Sequence, residues 1–573
     1  MQEPKLLLAS FAAAIFCLPA AAITAEFNAT PAVVPASPAQ PTYSEVPADM
    51  AALLPGGLTV VLMTNPLAEI EGVALGLAEQ IAPEIAAMVS IDTMLARIGL
   101  DPAMLDKTKP ICFAVGALTM ADEPQAFLVV PTTRGDMLMQ LVVAMSGMPA
   151  EALQTKVVGD YMGITMGATY PESGESELLG TVPNALMGLA IDVEAIVDTF
   201  GPMINLGMGM VRMQATSDLS GDMPMDLGAL LDTYFGMAES AMDSIEQARF
   251  SINITDSLLD IREEFVISEG SPMSSIAADG NTDIAKLLPL MGNDSMSMVL
   301  GADMGDLIAK MQPLMESMMG AYPVEMGQGL LASMEVFNEL YSLFGEGMVV
   351  SGGFSDHGLH ATAFFDGASF DELLTAYKGA LELPFWGQLG MKYIGTKTGK
   401  SGDVKVTRFT FDFDMSAFME MMGEDIPEGE LAEVEKMITA LYGDSLVLTF
   451  AKTGGTGIMV LGADDTLMIN ALGRVAAGGK IPDELARLGD LAANSNPFLS
   501  YGIDMGEMIS TMIPVLEKSM GAPAMGMEMF EGVHLPMNIY FGATKTMWTT
   551  GIMVDLIQVS EFVQMISIFD QEL

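Results

Sequence analysis

The chain is short of reactive and basic side chains. It has two cysteines, three histidines and 24 Lys and Arg among 573 residues. Cys17 falls in the N-terminal leader described below, so Cys112 stands alone and an intramolecular disulfide is excluded. Cys112 sits between Ile111 and Phe113 in a strand-like run, a setting that predicts a buried and inert thiol. The 24 basic residues face 74 acidic ones, a formal charge of -50. Such a field repels phosphate backbones and anionic headgroups, which excludes nucleic acid as a partner and leaves divalent cations and basic partners open. It also keeps an apolar-rich chain dispersed. Beyond the leader no run approaches the roughly eighteen uncharged apolar residues of a membrane span. The longest, residues 137–150, reads as one buried helix. No G-x-S-x-G elbow, S-x-x-K pair or H-E-x-x-H motif is present, so nucleophilic machinery is missing.

Residues 1–25 carry Lys5, an apolar stretch from residue 6 onward and small residues at Ala20, Ala21, Ala22 and Ala25. This is the pattern of a secretory signal cleaved after Ala22 or Ala25. Cys17 lacks the Leu-Ala-Gly-type residues that precede a lipidated cysteine, so the expectation is an exported protein, periplasmic or extracellular, without a lipid anchor. Residues 26–47 form a Pro-, Ala- and Thr-rich tether. The rest divides into an N-terminal part, 48–275, and a C-terminal part, 276–573, with the Gly-, Asn- and Asp-rich run 278–283 as the seam. With one thiol left, both parts must hold together by burial, for which the length is ample.

What the chain does have is a recurring pattern. Asp192, Asp303, Asp414 and Asp504 each end a strand-like run, and apolar residues follow at offsets 1, 4, 5 and 8, as in Val193, Ile196, Val197 and Phe200. Those offsets make one face of a helix, and an Asp just before it is a good N-cap because its carboxylate accepts from free N–H groups of the first turn. The first three anchors are 111 residues apart, which marks an internal repeat. Asn65 stands in the anchor position of a fifth, degenerate copy. After each anchor and its helix comes a hairpin that leads to another helix: residues 111–133, 249–270, 347–367, 445–465 and 537–556. Asp356-His357-Gly358 and Gly454-Gly455 supply the turn chemistry for two of them. The fold class expected is α+β, with repeated strand-helix-hairpin-helix units forming antiparallel sheets and helices packed on one face.

Candidate chemistry is sparse. Asp356, His357 and His360 share a segment and invite a metal reading, but residues three apart in a strand face opposite sides, and His534 is far away in sequence. Asp279, Asn281 and Asp283 have the spacing of the first ligands of a calcium loop, yet Ile284 and Leu290 stand where that loop needs Gly and Glu. A weaker Ca2+ site is the residual option, and a loop capping the run 284–288 is the structural one. Residues 394–401 resemble a phosphate-binding loop with one residue too few between its glycines, and a strand-like run follows where a helix is needed, so they read as a hairpin loop. The carboxylates from Glu424 to Glu435 read as a solvated helix, and Asp412 with Asp414 as a possible acid–base pair in which Asp414 is already a cap. The 53 methionines occupy helix-face positions such as Met304, Met311, Met415 and Met512, as core filling or as a Met-lined ligand groove. The N-x-S/T triplets at Asn28, Asn253 and Asn293 carry no weight.

The order of export signal, Pro-rich tether, LLPGG strand at residues 53–57, hairpin leading into VVPTTRGDML at 129–138, and repeated Asp-capped helices resembles uncharacterised exported bacterial proteins catalogued as domains of unknown function. That resemblance implies no site and no activity. Duplicated units without duplicated reactive residues point to a non-enzymatic exported scaffold or binding protein, whose partner is a protein or an apolar small ligand. A carrier of apolar ligands such as lipids is the alternative, and a carboxylate- or metal-dependent hydrolase the second alternative.

Overall fold

A computed structural model describes residues 43–572, except 82, 84–85, 87–88, 98–100, 120–123, 147–148, 167–168, 219–226, 278–283, 293, 304, 311, 313–335, 337–338, 341, 356–357, 382–390, 414–435, 437–438, 440–444, 480, 482–485 and 512–532. The fold is α+β, with antiparallel strands throughout the paired registers. The chain divides into two compact units. The first takes the described residues up to Met210, Glu239–Ser268 and Thr549–Gln564; the second takes Val211–Ala238, Glu269–Trp548 and the residues after Gln564.

Eight strands of the first unit are β1 (Val60–Thr64), β2 (Cys112–Val115), β3 (Ala126–Pro131), β4 (Leu153–Val158), β5 (Tyr161–Met166), β6 (Met187–Asp192), β7 (Ile245–Thr255) and β8 (Leu258–Ile267). Their spatial order is β4-β5-β3-β2-β1-β6-β7-β8. The second unit holds β9 (Met296–Gly301), β10 (Met348–Ser355), β11 (Gly358–Asp366), β12 (Met391–Ser401), β13 (Val404–Phe413), β14 (Leu446–Thr453), β15 (Thr456–Leu461), β16 (Phe498–Asp504) and β17 (Pro536–Ala543). These run β12-β13-β14-β15-β11-β10-β9-β16-β17. In both units an anchored strand pairs with the first strand of the hairpin that follows it: β1 with β2, β6 with β7, β9 with β10, β13 with β14 and β16 with β17. A central pair, β1 with β6 or β9 with β16, joins two such sets.

Strand alternation puts successive residues on opposite faces, and each sheet carries buried side chains on both of them. In the first unit Leu128, Val130 and Ile164 pack under the helices Leu67–Ile81 and Gly135–Ser146 through Leu67, Leu138 and Val142. On the other face Phe127, Ala114, Val61 and Ala190 pack against Met50, Leu53, Leu54, Leu178 and Leu179. In the second unit Phe365, Phe409, Phe411 and Phe450 pack under Phe370, Leu373 and Tyr377 of the helix Phe370–Ala380. The helix Asp465–Ala477 lies over the opposite face, where Arg474 stands 6.0 Å from the Phe364 ring and reaches Ser351 Oγ at 3.4 Å. Helices on one face only was the expectation, and the second unit departs from it. The reason is legible in β11, whose Phe364 and Phe365 are adjacent, both fully buried, and so need cover on opposite faces.

The glycine-rich run 394–401 lies within β12, paired as Gly399 to Val406 and Ser401 to Val404, not in a hairpin loop. The turn comes one residue later, at Gly402 with φ +59°. Residues 284–290 form two short 3-10 turns. Among the described residues no helix is long and apolar enough to cross a membrane.

Candidate functional site

Cross-strand register assembles a row of side chains at one end of the second sheet. His360 pairs with Gly353 across β11 and β10. Gly352 and Ile503 both pair with Met296, so one residue further along, Gly353, Ser295 and Asp504 fall in line. The Asp504 N–H donates to the Ser295 carbonyl at 2.7 Å, and Asp504 pairs with Pro536 on β17. The row is therefore His360, Gly353, Ser295, Asp504, Pro536, with all side chains on one face. Gly353 is needed here, since a Cβ would come 2.8 Å from Ser295 Oγ and 3.7 Å from His360 Cε1.

The next row inward on this face is Thr362, Ser351, Ser297, Gly502 and Asn538, and the one after it is Phe364, Val349, Val299, Ser500 and Tyr540. Hydroxyl and amide groups thus floor this end of the sheet. Ser351 Oγ accepts from the Gly292 N–H at 3.1 Å. Ser295 Oγ, Ser500 Oγ, Asn538 Oδ1 and His360 Nδ1 are buried and find no hydrogen-bond partner. Ser295, Ser500 and Asn538 are 3 %, 1 % and 6 % exposed. A buried polar group left unpaired costs about 1–3 kcal/mol, so this concentration on one face is expensive.

Titratable groups gather at the rim. His360 Nε2 lies 3.7 Å from Asp294 Oδ1. Burial pushes the Asp294 carboxyl up, but His360, the Ser351 hydroxyl and the Arg474 charge outweigh it and hold the group below the ordinary carboxylate range. Asp504 caps its helix, with Oδ1 accepting from Glu507 N at 3.0 Å and also from Leu535 N at 2.9 Å. Its Oδ2 pairs with His534 Nδ1 at 2.8 Å. Gly506 lets the returning chain approach, because a Cβ there would lie 2.8 Å from Val533 C and 3.2 Å from His534 N. Burial, then the neighbouring Asp504 charge, raises the Glu507 carboxyl above its usual value. Asp504, Glu507 and His534 each offer a donor atom, and the three atoms lie within 4.8 Å of one another.

Of the residues singled out from sequence, His360 and Asp504 join this end of the sheet. Asp356, His357, Asp279, Asn281, Asp283 and Asp414 lie outside the described residues, as do Met304, Met311, Met415 and Met512. Asp192 Oδ1 accepts from Ala195 N at 2.9 Å, and Asp303 Oδ1 from Asp306 N at 3.1 Å. The Cys112 thiol is fully buried and pushed up to about 12 by that burial. Sequence reading missed Asp294, Ser295, Glu507 and the partnership of His534 with Asp504. The available signal was that His534 lies just before the hairpin strand that follows the Asp504 anchor. Comparison of the chain with family models, curated proteins and solved structures finds no match.

Proposed function

We propose that the chain is an exported, non-enzymatic binding protein, built from five related strand-helix-hairpin units, whose ligand is a small polar molecule held at the His360–Asp504 end of the second unit's sheet. The observation that carries this reading is the set of four buried polar atoms without partners on one face, at Ser295, Ser500, Asn538 and His360. Groups kept unpaired in a folded chain are the ones a hydrogen-bonding ligand rewards, because discrimination by such sites comes from pairing buried donors and acceptors. The shared pairing of each anchored strand with its following hairpin supports the repeat. The leader at 1–25 supports export, to the periplasm or beyond.

Native mass spectrometry of the chain from residue 26, purified without detergent and compared before and after denaturing extraction, tests the reading. A polar mass that is lost on extraction and absent from Asn538→Ala is the expected result. A lipid-like mass would replace this reading with the apolar carrier, and a spectrum without any bound mass, unchanged by added cell extract, would contradict both.

A hydrolase is the second reading, favoured by one contact. The half-exposed His534 ring is held through Nδ1 by Asp504 Oδ2, the arrangement of a general base oriented by a carboxylate.

A further inference from the structure

We propose that Asp504, Glu507 and His534 form a site for one divalent transition-metal ion of the zinc class at the rim of the second sheet. Two carboxylates and an imidazole suit a borderline ion such as Zn2+, whereas an imidazole donor disfavours Ca2+ and Mg2+, which take oxygen. The three donors come from three elements that fix one another: the end of β16, the first turn of the helix after it and the chain that leads into β17. Asp504 Oδ1 is occupied by the N–H groups of Glu507 and Leu535, which orients Oδ2 toward His534. Close approach of Val533 and His534 over Gly506 keeps the imidazole against that turn.

The sheet beside the three donors is polar, with the Ser295 hydroxyl lying toward Gly353 on the far side of its strand. Ser295, 3 % exposed and one strand from Asp504 on the same face, has an unpartnered hydroxyl, while its carbonyl receives the Asp504 N–H. Three protein ligands leave a zinc-class ion open positions, which a ligand atom or water takes. The first unit supplies the internal contrast. Asp192 also ends a strand, caps a helix through Oδ1 and donates its N–H to the residue before the central strand, Thr59, at 2.9 Å. The residue three beyond it is Ala195, where Glu507 stands, and two before its paired Gln247 is Ile245, where His534 stands. The same scaffold therefore lacks the ligands.

The inference shares the sheet end with the proposed function but not the identity of the polar ligand, so each can fail alone. Isothermal titration of the chelator-stripped chain from residue 26 with ZnCl2 at moderate salt tests it. The expected result is one site per chain, with affinity reduced at least about tenfold in His534→Ala and in Glu507→Gln, and unchanged in Asp192→Asn. Circular dichroism and melting of His534→Ala, an exposed position, report whether that variant keeps its fold. No saturable zinc binding, or equal affinity in wild type, His534→Ala and Glu507→Gln, would overturn the proposal. Competition by CaCl2 at equal concentration would also overturn it, by showing that the acidic surface alone holds the ion.

Discussion

Laid strand against strand, the two units present the same positions with different chemistry. In the first unit the end row is Gln125, Gly116, Thr59, Asp192, Gln247, and in the second it is His360, Gly353, Ser295, Asp504, Pro536. Glycine, a hydroxyl residue and aspartate recur in the middle three places. One row inward, Phe127, Ala114, Val61 and Ala190 are all fully buried and apolar, whereas Thr362, Ser351, Ser297 and Gly502 are small and mostly polar. The first unit ends that row with Arg249 and Glu264, whose carboxyl is raised by burial against the pull of Arg262 and Arg249. Shared backbone register with divergent side chains separates what the two units have in common from what the second one adds. Aspartate at the helix start is common to both units, whereas the hydroxyls of the inner row, the crowding at Gly353 and the imidazoles belong to the second unit.

The contrast can be broken most severely from its apolar side. Phe127→Ala should cost about 3–5 kcal/mol, because it empties a fully buried aromatic position in the first unit's core, and denaturant unfolding reads this directly. Next in size is Asp294→Asn. The wild-type carboxyl is held below its ordinary value, so its contribution is fully present above the unfolded-state value and is lost as pH falls through the lower folded-state value. The substitution should cost about 1.5–3 kcal/mol at neutral pH. It should also flatten the acid limb of a melting-temperature profile. A wild-type limb that persists in the variant would remove Asp294 as its source.

Two glycine substitutions, one in each unit, sharpen the comparison. Gly502→Ala installs the residue found at the equivalent Ala190, but the new methyl would overlap Ser297 Oγ and lie 2.5 Å from Asn538 Oδ1. It should destabilise by about 1–3 kcal/mol. Gly116→Ala meets only ordinary contacts, the nearest being 3.5 Å from the Phe127 ring, and should be neutral or stabilising by about 0.4–1 kcal/mol. Equal effects would mean that the space around Gly502 in the second unit is no tighter than that around Gly116 in the first.

Sequence carried the local half of this picture. The anchors at Asp192, Asp303 and Asp504 could be read because a cap and the helix face behind it lie within nine residues, and each carboxylate does accept from an N–H three residues on. Hairpin positions could be read for the same reason. Row membership could not, because Ser295 and Asp504 meet the Gly353–His360 hairpin through strands far apart in the chain, and a register slip of one residue would turn every side chain to the other face. His534 stands far from His360 in sequence, yet β17, β16, β9, β10 and β11 are consecutive neighbours and bring both histidines to one end of the sheet. Reading Asp504 as a cap alone also leaves out its second oxygen, which is the one paired with His534.

Whether this face is kept for a ligand can be read from the melting temperature of the ligand-free Ser295→Ala/Ser500→Ala protein. Removing two buried hydroxyls that have no partner relieves about 1–3 kcal/mol of desolvation at each site. The double variant should melt several degrees above ligand-free wild type and should no longer retain a polar ligand on native purification. Melting several degrees below wild type would mean that the two hydroxyls hold the fold together, and would contradict the claim that this face is kept for a ligand.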